Sequence, residues 1–167
     1  MAKERLSAAT FVTRGYGQVE PNHLSGQKTG RLYAQLPLAE GVNKLENGQF
    51  AKYDYKTNTV KLDGDGEWFL HFSEVKVYEA RETDEDFVIT KGGVYPRLVG
   101  TLTGDIFTTN AVNGTKETLT EGKILTVGAD GFLAVDAAPE DTEMQWQIAK
   151  VYTMPDGQPG LKLVRIN

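Results

Sequence analysis

Residues 67–78, EWFLHFSEVKVY, decide the fold class, because their apolar side chains alternate instead of forming a helical stripe. In an extended strand Trp68, Leu70 and Phe72 fall on one face, with Phe69 and His71 opposite. A near echo, MQWQIAKVY, stands at 144–152 and also closes on KVY after an aromatic residue. The two stretches raise two expectations: β structure, and a chain built twice.

Shifting the sequence by 74 residues tests the second expectation. Leu24 then meets Leu98, Gly26 meets Gly100, Thr29-Gly30 meets Thr103-Gly104, Leu45 meets Leu119, and Gly48 meets Gly122. Lys76-Val77-Tyr78 meets Lys150-Val151-Tyr152, for nine identities over 70 ungapped positions. Ordinary composition gives roughly four. Phe50 meets Ile124 and Phe72 meets Trp146. The expectation is an all-β chain of two tandem small β-barrel or sandwich modules of similar architecture. They span residues 22–91 and 96–165, follow an extended N-terminal arm at 1–21, and are joined near TKGGVYP (90–96).

Working outward, other short segments carry the same signature of β-branched and aromatic residues between turn formers. In the first module these are RLYAQLP (31–37), GQFAKYDY (48–55), TVKL (59–62) and FVIT (87–90). In the second they are GDIFTTNAV (104–112), KILTV (123–127), GFLAV (131–135) and LKLVRI (161–166). DGDG (63–66), VNG (112–114), ADG (129–131) and PDGQPG (155–160) read as turns. KERLSAATFV (3–12) reads as one short N-terminal helix.

The 167 residues contain no cysteine, so disulfides, thiolate nucleophiles and cysteine zinc sites are excluded. No apolar run is long enough for a membrane helix, and the first residues lack the apolar core of a secretory signal. Charge is unevenly spread. Residues 1–36 carry Lys3, Arg5, Arg14, Lys28 and Arg31 against Glu4 and Glu20, or +3, leaving −8 for the remainder of a chain of net charge −5. A cationic arm on an acidic body suggests docking on a negative surface, while the acidic body opposes nucleic-acid binding.

Motifs for catalysis and metal binding are missing. His23 has only Ser25 beside it, with no orienting carboxylate in the sequence, and His71 reads as a strand-face residue. Asp63, Asp65, Glu67 and Glu74 match positions of a calcium loop, but Trp68 stands where that loop needs glycine, so a hairpin turn is the better reading. EARETDEDF (79–87) reads as a solvated connector. Trp68 and Trp146, with Tyr53, Tyr55 and Tyr95, read as core aromatics before they read as a sugar-stacking platform. The expectation is a protein that is not an enzyme and has no catalytic residue, metal or cofactor.

The stretches PRLVGTLTGDIFTTNAVNG (96–114), LTEGKILTVGADGFLAV (119–135) and IAKVYTMPDGQPGLKLVRIN (148–167) resemble the capsid decoration, or cement, proteins of tailed bacteriophages. GQVEPNHLSGQKTGRLYAQLP (17–37) and LENGQFAKYDY (45–55) share that resemblance, which covers most of the chain. It implies a virion structural protein, made in the bacterial host cytoplasm, that sits on the capsid surface as a trimer or other small homo-oligomer. Its partner would be the major capsid protein, and its task to stabilise the shell by bridging coat subunits. Head-fibre and tail-tube components, and a carbohydrate-binding β module, share the same profile. On the decoration reading the contact residues are Arg5, Phe11, Arg14, Tyr16, His23, Leu24, Lys28 and Arg31. The cations would face acidic coat residues, with Phe11, Tyr16 and Leu24 as apolar anchors.

Overall fold

The computed structural model describes residues 3–25, 31, 34–74, 83–136, 138–141 and 143–167, the side chains of Asn22 and Asp84 excepted. The chain is nearly all β, as the alternating segments require, and none of its sheets closes into a barrel. The strands in chain order are β1 (Lys44–Leu45), β2 (Phe50–Asp54), β3 (Thr59–Lys61), β4 (Phe69–His71), β5 (Ile89–Thr90) and β6 (Leu98–Val99). They continue as β7 (Ile106–Thr109), β8 (Val112–Asn113), β9 (Ile124–Val127), β10 (Leu133–Val135), β11 (Trp146–Thr153) and β12 (Pro159–Arg165). Two short 3-10 turns lie at Pro21–His23 and Asp84–Asp86.

Among the described residues three open sheets result: β3-β2-β4-β6, β7-β12-β11-β9-β10-β8, and the pair β1-β5. The first two sheets run in the same order. Leu38 bridges β3 in parallel, as β8 lies parallel to β10; β2 and β4 follow β3 as β9 and β11 follow β10. β6 then borders β4 as β12 borders β11. Even the entry turns agree. The amide of Gly48 donates to the His71 carbonyl (2.9 Å) and His71 returns a bond to Gln49 (2.9 Å); Gly122 donates to Ile148 (2.8 Å) and Ile148 to Lys123 (2.9 Å).

The offset drifts, however, from 74 at the glycines to 77 at His71 and Ile148. By the ladders Trp146 therefore corresponds to Phe69, and the pairing of Phe72 with Trp146 is not kept. The first KVY lies outside the described residues. The expected boundary also moves: Leu98 and Val99, assigned by sequence to the second module, pair with β4 of the first sheet.

The core explains why the halves are not separate balls. Phe50, Leu70 and Val99 of the four-stranded sheet, with Phe72 just beyond β4, pack against Phe107, Leu125, Leu133, Trp146, Ile148, Leu161 and Leu163 of the six-stranded sheet. Phe107 meets Trp146 edge-on at 4.7 Å, and Phe50 stands 5.9 Å from Trp146 and 6.1 Å from Phe107. The strand period of two sends Ala51, Tyr53, Phe69 and Leu98 to the opposite face, where Leu45, Ile89, Val42 and Leu38 cover them.

Residues 3–12 form no helix. Their amides are taken by distant partners: Ala8 by the Glu46 carboxylate (3.0 Å) and Phe11 by the Val112 carbonyl (2.9 Å). Phe11, Val19 and Leu24 join the main core. The N-terminal segment also closes both edges of the six-stranded sheet. Phe11 bonds the outer rim of β8, while Val19 pairs with Thr109 and Glu20 donates to Thr108 on β7 (2.8 Å).

Burying Phe11, Val19 and Leu24 contributes on the order of 5 kcal/mol, comparable with the whole stability of a small domain. A chain beginning at Gly26 is therefore expected to lose cooperative urea unfolding, followed by tryptophan fluorescence. A truncated chain melting like the full one would show that the segment is dispensable.

Candidate functional site

The hub that positions the N-terminal segment is the turn Leu45-Glu46-Asn47-Gly48-Gln49 between β1 and β2. Gly48 takes a φ of 89°, and a Cβ there would come within 2.5 Å of Thr109 Oγ1, so only glycine fits. Glu46 is 5% exposed, and its carboxylate accepts the amides of Ala8 (3.0 Å) and Gly17 (2.8 Å). Its own amide donates to Gln49 Oε1 (3.0 Å). Asn47 exchanges two bonds with the Ser73 backbone, at 2.9 and 3.0 Å.

His71, fully buried, completes the hub. A carbonyl can only accept, so Nδ1 carries the proton to the Glu46 oxygen (2.7 Å) and Nε2 accepts from Ser73 Oγ (2.9 Å). Ser73 Oγ in turn accepts the Arg97 amide (3.0 Å). Burial pushes the imidazole down to about 4. A serine hydroxyl on a neutral imidazole has the form of an activated nucleophile, but Ser73 is 5% exposed and His71 not at all. Here the pair satisfies buried polar atoms. The sequence argument paired His23 with Ser25 instead. His23 Nδ1 lies 2.9 Å from Thr108 Oγ1, and Ser25 Oγ donates to Asp105 (2.9 Å).

The residues expected to contact a partner are scattered or spent internally. Phe11, Tyr16 and Leu24 are buried and so are not surface anchors. Tyr16 Oη receives a bond from Lys44 (3.1 Å). Arg14 pairs with Glu85 (2.9 Å) and donates to the Asp156 carbonyl (2.6 Å); Arg31 pairs with Asp105. Arg5 bonds the Thr10 carbonyl (3.3 Å), and Lys28 lies outside the described residues. The expectation of a free cationic arm is thus not met at Lys3 and Arg14, which pair with the acidic run of the body, or at Arg31, which pairs with Asp105. Glu85 and Asp86 receive Lys3 (2.9 and 2.7 Å), and the Lys3 hydrogen bond holds the Glu85 carboxyl below the usual carboxylate range, with Arg14 adding to it. Gly15, at φ 62°, fits this contact because a Cβ would lie 2.1 Å from the Glu85 carbonyl oxygen.

Comparison with known proteins finds no family model, no curated protein and no solved structure that matches this chain. The reading of the site rests on its geometry.

Two surface features remain. A cleft of about 440 Å³ is lined by Lys52, Glu67, Trp68, Glu143, Met144 and Arg165. Trp68 is half-buried, and Lys52 Nζ sits 4.3 Å from its ring centre while donating to the Gly64 carbonyl (2.6 Å), so the ammonium caps the indole face. Trp146 is wholly buried, which removes it from any sugar platform. Among the described residues no group of three or more His, Asp and Glu side chains is placed to hold a metal; Glu67 turns toward Arg165 (3.9 Å) and Glu74 toward Arg97 (3.8 Å).

The second feature is an open strand edge, legible in sequence only as part of MQWQIAKVY. β11 pairs with β9 at Trp146 and Gln147 and bonds Gly122 and Lys123 through Ile148; from Lys150 to Thr153 β12 is the one strand that pairs with it among the described residues. Beside this overhang lies a groove of about 310 Å³ lined by Phe11, Lys116, Leu119, Val151, Thr153 and Pro159.

Two measurements probe the hub. Glu46→Gln puts an amide NH2 against one of two buried donors and is expected to lower the urea unfolding free energy by about 2 kcal/mol, since unsatisfied buried donors cost about 1–3 kcal/mol. The effect of His71 carries a pH signature. Unfolding restores its ordinary value of 6.5, so between that value and about 4 the unfolded chain binds a proton the folded chain refuses. Stability is then full above pH 6.5 and falls by roughly 3 kcal/mol as pH drops toward 4. His71→Gln should flatten that slope; parallel decline of both proteins would place its origin elsewhere.

Proposed function

We propose that this chain is a structural component of a phage virion that binds the outside of the capsid and stabilises the shell by bridging coat subunits. The resemblance carried by residues 96–114, 119–135 and 148–167 motivates the reading. One structural observation supports it most: the N-terminal segment, both sheets and the hub are joined through one aromatic core and buried hydrogen bonds. A part that bridges neighbouring subunits resists their separation only if it does not deform itself, and a shared core supplies that stiffness. The protein acts here by binding and not by catalysis.

The common strand order favours descent of the two sheets from one duplicated unit, with the drift from 74 to 77 as a later insertion. Binding is assigned to the folded body and not to a trailing arm, because the arm's apolar residues are internal. Repetition over a symmetric lattice multiplies modest single contacts into strong retention. The coat subunit is the partner, and a trimer or other small oligomer suits such a lattice.

Co-sedimentation with emptied phage heads tests the proposal. Saturable pelleting of the full chain, with heads that then resist heat or chelator longer, is the expected result. A chain that stays in the supernatant at every concentration, or assembles by itself into rings, would overturn it in favour of another virion part.

A further inference from the structure

We propose that the free edge of β11 at Lys150–Thr153 is a docking site for an extended, acidic strand supplied by a partner protein, which joins the six-stranded sheet by main-chain pairing. This deepens the shell-binding reading and rests on it for the partner's identity.

The backbone dictates the first half of the argument. Pro159 has no amide, and Met154 donates to the Gln158 carbonyl (2.8 Å), so Thr153 and Pro159 form a non-hydrogen-bonded pair. Tyr152 and Gly160 are then the bonded pair. It follows that the N–H and C=O groups of Val151 and Thr153 point away from β12, toward open space. Elsewhere the fold covers the rims of this sheet with its own N-terminal segment, at β8 and at β7. Uncovered strand edges are a pairing hazard, and no described residue pairs with this one.

Side chains specify the occupant. Val151 stands opposite the buried Leu161 and shares its face, so every second residue of an added strand would drop an apolar side chain toward Phe11, Leu119 and Pro159. The alternate residues would lie on the outer face beside Lys150. Lys150 and Lys123 are exposed and have no carboxylate within ion-pair reach among the described residues; Lys116 is the charged residue lining the groove. Apolar and acidic residues in alternation satisfy both faces. Strand addition uses such a division: main-chain bonds give affinity and side-chain pockets give selectivity.

The test uses the full chain and two labelled heptapeptides, one alternating valine with glutamate and one alternating valine with lysine, read by fluorescence anisotropy. The glutamate peptide should bind saturably and the lysine peptide at least tenfold more weakly. Lys150→Glu should weaken the glutamate peptide about tenfold, the size expected for turning cross-strand attraction into repulsion. Val151→Pro removes an outward N–H without touching a bond to β12, and should abolish binding while Trp146 fluorescence and the urea midpoint report an intact fold. Equal binding of both peptides, no binding, or undiminished binding by Val151→Pro overturns the proposal. Sedimentation equilibrium showing a dimer that Val151→Pro dissolves also overturns it, by giving the edge to a second copy. No capsid enters these assays, so their failure is separate from failure of the shell-binding reading.

Discussion

The fold depends on a carboxylate that faces no cation among the described residues. Glu46 is buried at a tight turn, where its carboxylate accepts hydrogen bonds from the Ala8 and Gly17 amides. A buried anion without partners is costly, so these two bonds fix where the N-terminal segment must run. Once Ala8 and Gly17 are held, the stretch between them is drawn over the rim of β8 and against Phe132 and Ala111. The same turn holds His71 through a backbone carbonyl, tying the four-stranded sheet to the same point.

That constraint turns two similar sheets into one body. The aromatic contact of Phe50, Phe107 and Trp146 crosses from one sheet to the other, so neither sheet has an inner face without its partner. Internal ion pairs complete the join: Lys3 and Arg14 reach Glu85, and Arg31 reaches Asp105. The charge separation visible along the sequence is largely cancelled in space. What remains for recognition is backbone, at the overhang of β11, flanked by lysines that have no ion-pair partner among the described residues.

The correspondence between the sheets also explains why self-similarity in the sequence was both informative and misleading. Gly48 and Gly122 sit in equivalent turns because each strand entry needs the same positive φ. Beyond them a three-residue drift breaks the register, so the match of Phe72 with Trp146 at offset 74 does not follow the ladders. Strand pairing responds to hydrogen-bond partners, and letter matches follow them only while no residue is inserted.

By itself the sequence determined most of the strands, because alternation is local: 69–71, 124–127 and 161–165 all form as their side-chain period demands, whereas the expected strand RLYAQLP is not one at 31 or 34–37. It also determined turns such as 63–66, 129–131 and 155–158, whose glycines and aspartates act over a few residues, while VNG, read as a turn, enters β8 at Val112–Asn113. Tertiary structure decided the rest. The path of residues 3–12, read as helical, was set by Glu46 and Val112, more than 30 residues away. The burial of Phe11, Tyr16 and Leu24, the pairing of Arg14 and Arg31, and the Ser73–His71 bond all join side chains brought together only by folding. The free edge of β11 belongs to the same class, since a strand's openness depends on which neighbours stop short of it.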